Sequence, residues 1–410
     1  MKDRIVKIAD FVIYWSIIII PFSILIAPGA AFTFIGLMTF CFLLKKIITK
    51  QRLFANSVLN LPFFILLAVA LVSFKNSISY SDSFHGIGKM VLNGFIFLIA
   101  AEEIKTRKHI QLIFISIVCG AGLASIDAIW QLKFGADFIQ HRELKYAIGL
   151  TRATASFPNS NVFGVYISAI APMVVGMSLF YFKKQLKAFM LALSALVTFG
   201  VVSTFSRGTG LGFFLAVIIA SIAKRSKVII ASLVILLILS PFIAPQKIKD
   251  WVKSIHYNPV VFMLNEDRIS IYRNSLNMIK HHPIIGVGVN TFCRNYLTYK
   301  LPEPEGAKSA EHMYSHNNFL EMAGELGLVG LAVFLWFLFR LFKQAVKNYK
   351  LIQDNFLKTI CLCAAVSIIS FLVNGMTETS LYYSRVSMIF WYLVGFSLAL
   401  KKFTDEKCIS

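Results

Sequence analysis

Ser315-His316-Asn317-Asn318-Phe319-Leu320-Glu321, running on to Gly327-Leu328-Val329-Gly330, is where a long polar stretch gives way to an apolar helix. The composition decides how that step reads. Of 410 residues, 57% are hydrophobic and only 15% charged, and mean hydropathy is +0.71. This is the composition of a polytopic membrane protein. The step from Ser315 to Phe319 is therefore a water boundary, with an imidazole and two amides placed on it.

Outward from that boundary, apolar runs of roughly 20 residues recur along the chain. About twelve meet the hydropathy criterion, centred near Ile18, Gly36, Leu66, Phe95, Val118, Ala169, Leu193, Leu215, Val234, Leu331, Val366 and Phe390. The expected fold is all-α and polytopic. The first run follows Met1-Lys2-Asp3-Arg4 with no small-residue cleavage site, so it reads as a retained helix.

The formal charge of +21 would suggest nucleic acid in a soluble protein. Here the basic residues form short clusters, such as Lys45/Lys46/Lys50/Arg52, Lys105/Arg107/Lys108 and Lys224/Arg225/Lys227, on every second connection. No nucleic-acid motif accompanies them. The positive-inside rule puts these clusters and both termini in the cytoplasm, which requires an even number of spans. No disulfide framework or metal site is implied: Cys293 alone falls on the outer side, and Cys361-Leu362-Cys363 reads as packing in a span.

The chain reads as one membrane domain, 1–410, with two long outer segments near 133–161 and 245–315. Segments of that length usually carry function. In the second, Asp267 reads as a cap, and Ile269, Tyr272, Leu276 and Ile279 recur at helical spacing. This predicts an amphipathic helix along the membrane rim, stopped by Pro283. Gly286-x-Gly288 lacks the third glycine and the strand of a dinucleotide fingerprint.

Each polar feature on the outer side has a plain reading and a chemical one. Arg207, in Ser206-Arg207-Gly208, either snorkels to headgroups or meets an anion at a helix start. Arg268 either pairs with Glu266 or Asp267 or serves a site; Arg273 and Arg294 have weaker claims. His316 either tolerates a capping cluster of Ser315, Asn317 and Asn318 or does proton chemistry. His312 is four residues earlier, but a third metal ligand at matching spacing is missing. Glu321 and Glu325 enter the apolar helix, where ionisable groups default to function; Glu321 is placed to orient His316 or an arginine. Arg152 lies upstream of Asn159 and Asn161, which either cap a helix or bind a sugar or phosphate.

These residues together resemble the O-antigen ligase and O-antigen polymerase superfamily of bacterial envelope glycosyltransferases. His316-Asn317, nine residues, Gly327, two residues and Gly330 match its histidine motif. Arg268-x-x-x-Tyr272 and Pro283-Ile284-Ile285-Gly286-Val287-Gly288 resemble its Arg-x-x-x-aromatic and Pro-x-x-Gly-x-Gly run, with Tyr272 where tryptophan is frequent. Ser206-Arg207-Gly208 and Phe157-Pro158-Asn159-Ser160-Asn161 resemble two further segments, the second with Ser160 in place of proline. The motifs span Arg152 to Gly330 and favour ligase over polymerase.

The resemblance implies a GT-C-like fold in the bacterial inner membrane with its active site facing the periplasm. It implies a donor glycan on undecaprenyl diphosphate, an acceptor hydroxyl on lipid A–core oligosaccharide, and an inverting reaction without metal or cofactor. His316, Arg207 and Arg268 would then be catalytic, and Arg152, Asn161, Asn317 and Glu321 would bind substrate. Besides these lipids no nucleic-acid partner is expected. A polymerase using the same donor is the alternative; a transporter is more remote, because the chain shows no repeated halves.

Overall fold

A computed structural model describes residues 1–147, 150–243, 246–302 and 313–404; His312 and Cys408 lie outside the described residues. The helices are α1 (Lys2–Ile26), α2 (Pro28–Thr49), α3 (Asn60–Val72), α4 (Tyr80–Glu103), α5 (Arg107–Phe134), α6 (Ser160–Phe180), α7 (Lys184–Ser203) and α8 (Arg207–Ala223). They continue with α9 (Lys227–Ile243), α10 (Gln246–Ser254), α11 (Pro259–His281), α12 (Phe292–Asn295), α13 (Asn318–Leu351), α14 (Asn355–Asn374) and α15 (Ser384–Ala399). One departure from all-α is a small antiparallel hairpin, β1 (Lys145–Ala147) and β2 (Leu150–Arg152), with Lys145 opposite Arg152.

All twelve expected span centres fall on helices, but among the described residues only nine helices are long and apolar enough to cross a membrane. The exceptions are α3, with 13 residues, and α8 and α9, with 17 each. Helix α3 stops early because another segment occupies its end. Ser73 Oγ accepts the Val289 N–H at 3.0 Å, and Asn76 Nδ2 donates to the Gly286 carbonyl at 2.8 Å.

Helix α6 is buried along almost its whole length and packs against α7, α8 and α14. Glycines allow the close crossings. A Cβ on Gly212 would lie 2.5 Å from the Ser370 carbonyl oxygen, and one on Gly395 would lie 2.5 Å from that of Phe97. The basic clusters gather at one end of the bundle. Lys45 bridges Asp10 (2.6 Å) and Glu103 (2.9 Å), Lys46 pairs with Glu102, and Lys402 donates to the carbonyls of Ala101, Glu102 and Ile104.

At the opposite end the buried Arg385 ties three segments together. It donates to the carbonyls of Ile24, Leu25 and Ser156, and its guanidinium lies 3.9 Å from the centre of the Phe157 ring. A charge buried within helices is costly unless paired or hydrogen-bonded. Here backbone carbonyls left over where α1 ends satisfy it.

Helix α13 is broken at Gly327, whose φ of 70° and ψ of −177° are not helical. The break exposes backbone groups that hydrocarbon cannot satisfy. The Pro283–Gly288 loop fills it: Val287 N–H donates to Gly324 O (2.9 Å), Gly288 N–H to Glu325 O (3.1 Å), and Leu328 N–H to Pro283 O (2.7 Å). A Cβ on Gly286 would fall 2.3 Å from Glu325 backbone, and one on Gly327 would fall 2.1 Å from the Ile284 oxygen. The two glycine motifs are thus halves of one clasp.

Helix α11 departs from expectation in its start and at one position of its face. It begins at Pro259, and Asn258 Oδ1 accepts the Val260 N–H at 2.9 Å. Asn before a first-turn Pro is a strong helix start, so Asp267 and Arg268 are interior. Its buried stripe is Ile271, Ser275 and Met278, packed towards Val287, Phe292 and Tyr296, whereas Leu276 is 57% exposed. Of the expected apolar positions, Ile279 is buried, Ile269 and Tyr272 are half-buried, and Leu276 is exposed, because packing against α13 and its clasp centres the buried stripe on Ile271 and Met278.

Candidate functional site

Asn317 is the N-cap of α13: its Oδ1 accepts the N–H groups of Phe319 (2.9 Å) and Leu320 (3.2 Å). The capping reading therefore holds for Asn317, and it frees its neighbour. His316 takes a left-handed φ of 49°, with a quarter of its side chain exposed. Ser315 locks the turn below, donating through Oγ to the Asn317 carbonyl at 2.7 Å. Beneath it the fully buried Glu321 accepts the Ser315 N–H at 2.7 Å, and its Oε1 has no partner among the described residues. Glu321 thus supports the histidine turn; the histidine ring meets another carboxylate.

That carboxylate is Glu378, in the turn after α14, and it was not among the residues singled out from sequence. His316 Nδ1 lies 3.3 Å from its Oε2. Arg268 Nη2 donates to its Oε1 at 2.7 Å, and Asn161 Nδ2 donates to the same oxygen at 2.5 Å. Glu378 is 4% exposed. Its signal in the sequence was a lone acid, in Thr377-Glu378-Thr379-Ser380, on a short connection of the cation-poor side.

Asn159 and Asn161 divide the two readings between them. Asn159 caps α6 through Val162 N–H at 2.9 Å. Asn161 turns into the site, where its Oδ1 accepts from Arg152 Nη2 at 2.7 Å. Arg152 also donates through Nε to the Thr204 carbonyl at 2.8 Å. Burial, and then the charge of Arg268, hold its guanidinium below the usual arginine range.

Arg207 is the first residue of α8 and donates to the Phe262 carbonyl. It lies within the field of Arg268 and Arg152. Gly208 brings this helix start against the α14 turn; a Cβ there would lie 2.0 Å from Thr377 Oγ1. Tyr272 closes the floor, its hydroxyl donating to the Met376 carbonyl (2.6 Å) and reaching the His316 carbonyl (3.3 Å). Burial raises its pKa, so it stays a neutral donor.

The structure therefore brings together Arg152, Asn161, Arg207, Arg268, His316 and Asn317, and adds Glu378. Glu325 belongs elsewhere: its carboxylate accepts Asn290 N–H (2.7 Å) and Phe292 N–H (3.1 Å), capping α12. Arg294 pairs with Asp82 and is 60% exposed in its side chain.

A bundle of apolar helices, with an imidazole beside a carboxylate and three arginines near it at one end, is a multi-pass membrane protein. Residues 189–335 match the family model described as O-antigen ligase. The match runs from α7 into α13, and over this segment the chain is similar to that family. The match supports a ligase- or polymerase-type membrane enzyme of polysaccharide biosynthesis. No curated protein matches the chain. Arg207, Arg268 and His316 lie inside the matched segment; Arg152, Asn161 and Glu378 lie outside it.

Proposed function

We propose that this protein is an O-antigen ligase. It transfers a glycan from undecaprenyl diphosphate to a sugar hydroxyl of lipid A–core oligosaccharide, with inversion and without a metal. The observation that carries this reading is the contact of His316 Nδ1 with Glu378, set among Arg152, Arg207 and Arg268.

In this reaction the acceptor oxygen forms a bond to the anomeric carbon as the bond from that carbon to the diphosphate oxygen breaks. The bonding pair leaves with the diphosphate, whose charge grows. Arg207 and Arg268 stabilise that charge, as preorganised cations do at a leaving phosphate. Arg152 and Asn161 hold the diphosphate or the adjoining sugar. Glu378 accepts from His316 Nδ1–H, which leaves Nε2 free to take the proton of the attacking hydroxyl. Asn317 and Glu321 keep the turn in which His316 stands.

The whole chain acts as one membrane domain of GT-C type, and 245–315 supplies part of the site. The lysine-rich end and both termini face the cytoplasm of the inner membrane; the site faces the periplasm. A broken helix is also a transporter feature, but in α13 the break is filled by the chain's own Pro283–Gly288 backbone.

The test is lipopolysaccharide profiling in a deletion strain complemented with wild type or His316→Ala, with membrane levels matched. Loss of a positioned base lowers the rate by ~10²–10⁴, so bare lipid A–core with glycan accumulating on the lipid carrier is expected. A ladder collapsed to a single capped unit assigns a polymerase instead. A normal ladder from His316→Ala overturns the site.

A further inference from the structure

A second cavity, of about 520 Å³, lies between α2, α4 and α15, away from the site just described. Its walls divide by chemistry. Phe32, Phe84 and Met388 supply apolar surface, and Phe32 and Phe84 are 41% and 68% exposed on the outside of the bundle. His85, Lys89 and Asn93 line it from α4, and Ser384 from the start of α15.

Two independent features point to an anionic group here. The first is the N-terminus of α15, a 16-residue helix whose N-cap, Tyr383, makes no side-chain cap. The first N–H groups of a helix have no partner within it and favour an anion. The second is Asn93, 93% buried, which lines the cavity and has no hydrogen-bond partner among the described residues. Its carboxamide is open to the cavity and free to bond what enters it.

Lys89 completes the set. It lies nine residues into α4, about 13 Å along the helix axis, and its side chain is exposed at the cavity mouth. Its Nζ reaches Asn290 Oδ1 at 3.3 Å, which uses one of three donors. His85 Nδ1 is engaged by the Ser81 carbonyl at 2.8 Å, which leaves Nε2 available.

We propose that this cavity binds the headgroup of an anionic phospholipid from the surrounding bilayer. Lys89, His85 and the α15 N-terminus take the phosphate, and Asn93 donates to the glycerol or ester oxygens below it. The acyl chains leave sideways between Phe32 and Phe84. The opening between two exposed phenylalanines on membrane-spanning helices is what selects a lipid over a soluble anion. None of the residues lining the cavity belongs to the His316–Glu378 site.

The experiment is native mass spectrometry of the full-length protein in detergent, titrated with dioleoyl-phosphatidylglycerol or dioleoyl-phosphatidylcholine. Wild type is expected to retain one phosphatidylglycerol at least tenfold better than phosphatidylcholine. Lys89→Gln with His85→Gln abolishes that preference, Asn93→Leu lowers occupancy of both lipids, and Arg207→Ala leaves retention unchanged. Size-exclusion profiles and melting temperatures identify any variant that fails to fold; Ser384→Leu then serves as a second block of the cavity. Equal retention of the two lipids, or retention unaffected by all the cavity variants, overturns the proposal. Displacement by millimolar inorganic phosphate reassigns the cavity to a soluble anion, and preferential displacement by lipid A–core reassigns it to the acceptor; either overturns the phospholipid assignment.

Discussion

The two ends of the bundle handle charge in opposite ways. At the lysine-rich end each buried ammonium has a partner close by: Lys45 lies between Asp10 and Glu103, Lys46 against Glu102, and Lys402 on three carbonyls. At the other end Arg152, Arg207, Arg268 and His316 gather around Glu378, whose two oxygens are divided among Asn161, Arg268 and His316. Paired charge holds helices in register. A carboxylate shared among several donors, in a ring of cations, holds them in a shape that an anionic substrate fits.

Substitutions on the two sides should separate these roles. The largest effect on transfer is expected from Glu378→Gln, which removes the charge that orients His316. A loss of ~10² or more is expected, as when the carboxylate behind a catalytic histidine is neutralised. Purified enzyme with lipid-linked donor gives the measurement. Matched activity in Glu378→Gln would break the comparison, because the site end would then be structural too.

Arg268→Ala comes next, at ~10² in rate, the effect of losing one donor to developing negative charge. Arg268→Lys should restore only part of it, because a point charge lacks the planar fork. Equal rates for the Lys variant and wild type would show that Arg268 contributes charge alone.

Gly327→Ala tests the clasp. The φ of 70° and ψ of −177° at Gly327 lie in a region open essentially to glycine alone, at a cost of order 1–3 kcal/mol for a side chain, and the Cβ would also meet the Ile284 carbonyl. Less folded protein and a lower melting temperature in detergent are expected, with Gly286→Ala behaving alike. Unchanged melting in both would mean that the loop can leave the break without consequence.

At the lysine end, Glu103→Gln removes one of the two carboxylates on Lys45 and leaves it with Asp10, which should lower stability by about 2 kcal/mol, the worth of a charge-assisted hydrogen bond. Transfer per folded molecule should remain that of wild type, and thermal melting beside a transfer assay reads both. Arg294→Ala is the smallest case: its exposed pair with Asp82 is worth less than ~1 kcal/mol, and neither assay should move.

Much of the site was legible because it combines scarce residues with a boundary. His316, Arg207 and Arg268 are polar groups where apolar helices start or a long connection runs, and such groups stand out in a chain with 15% charge. Glu378 escaped because a single acid in a short turn looks like any solvated residue. Its partners Asn161, Arg268 and His316 are 217, 110 and 62 residues away in sequence. On α11 the expected Ile279 is buried but Leu276 is exposed, because the stripe centres on Ile271 and Met278 against α13 and its clasp, which local periodicity does not contain.

By itself the sequence determined that the chain is a multi-helix membrane protein, where its helices lie, and which clusters share a side. Those properties follow from hydrophobic run length and charge position, each a sum over neighbouring residues. Tertiary structure alone decided that Glu378 holds His316, that Arg385 ties α1 to α15, and that Pro283–Gly288 completes the broken α13. Each depends on a hydrogen bond between distant segments, where buried polar groups must find partners because hydrocarbon offers none.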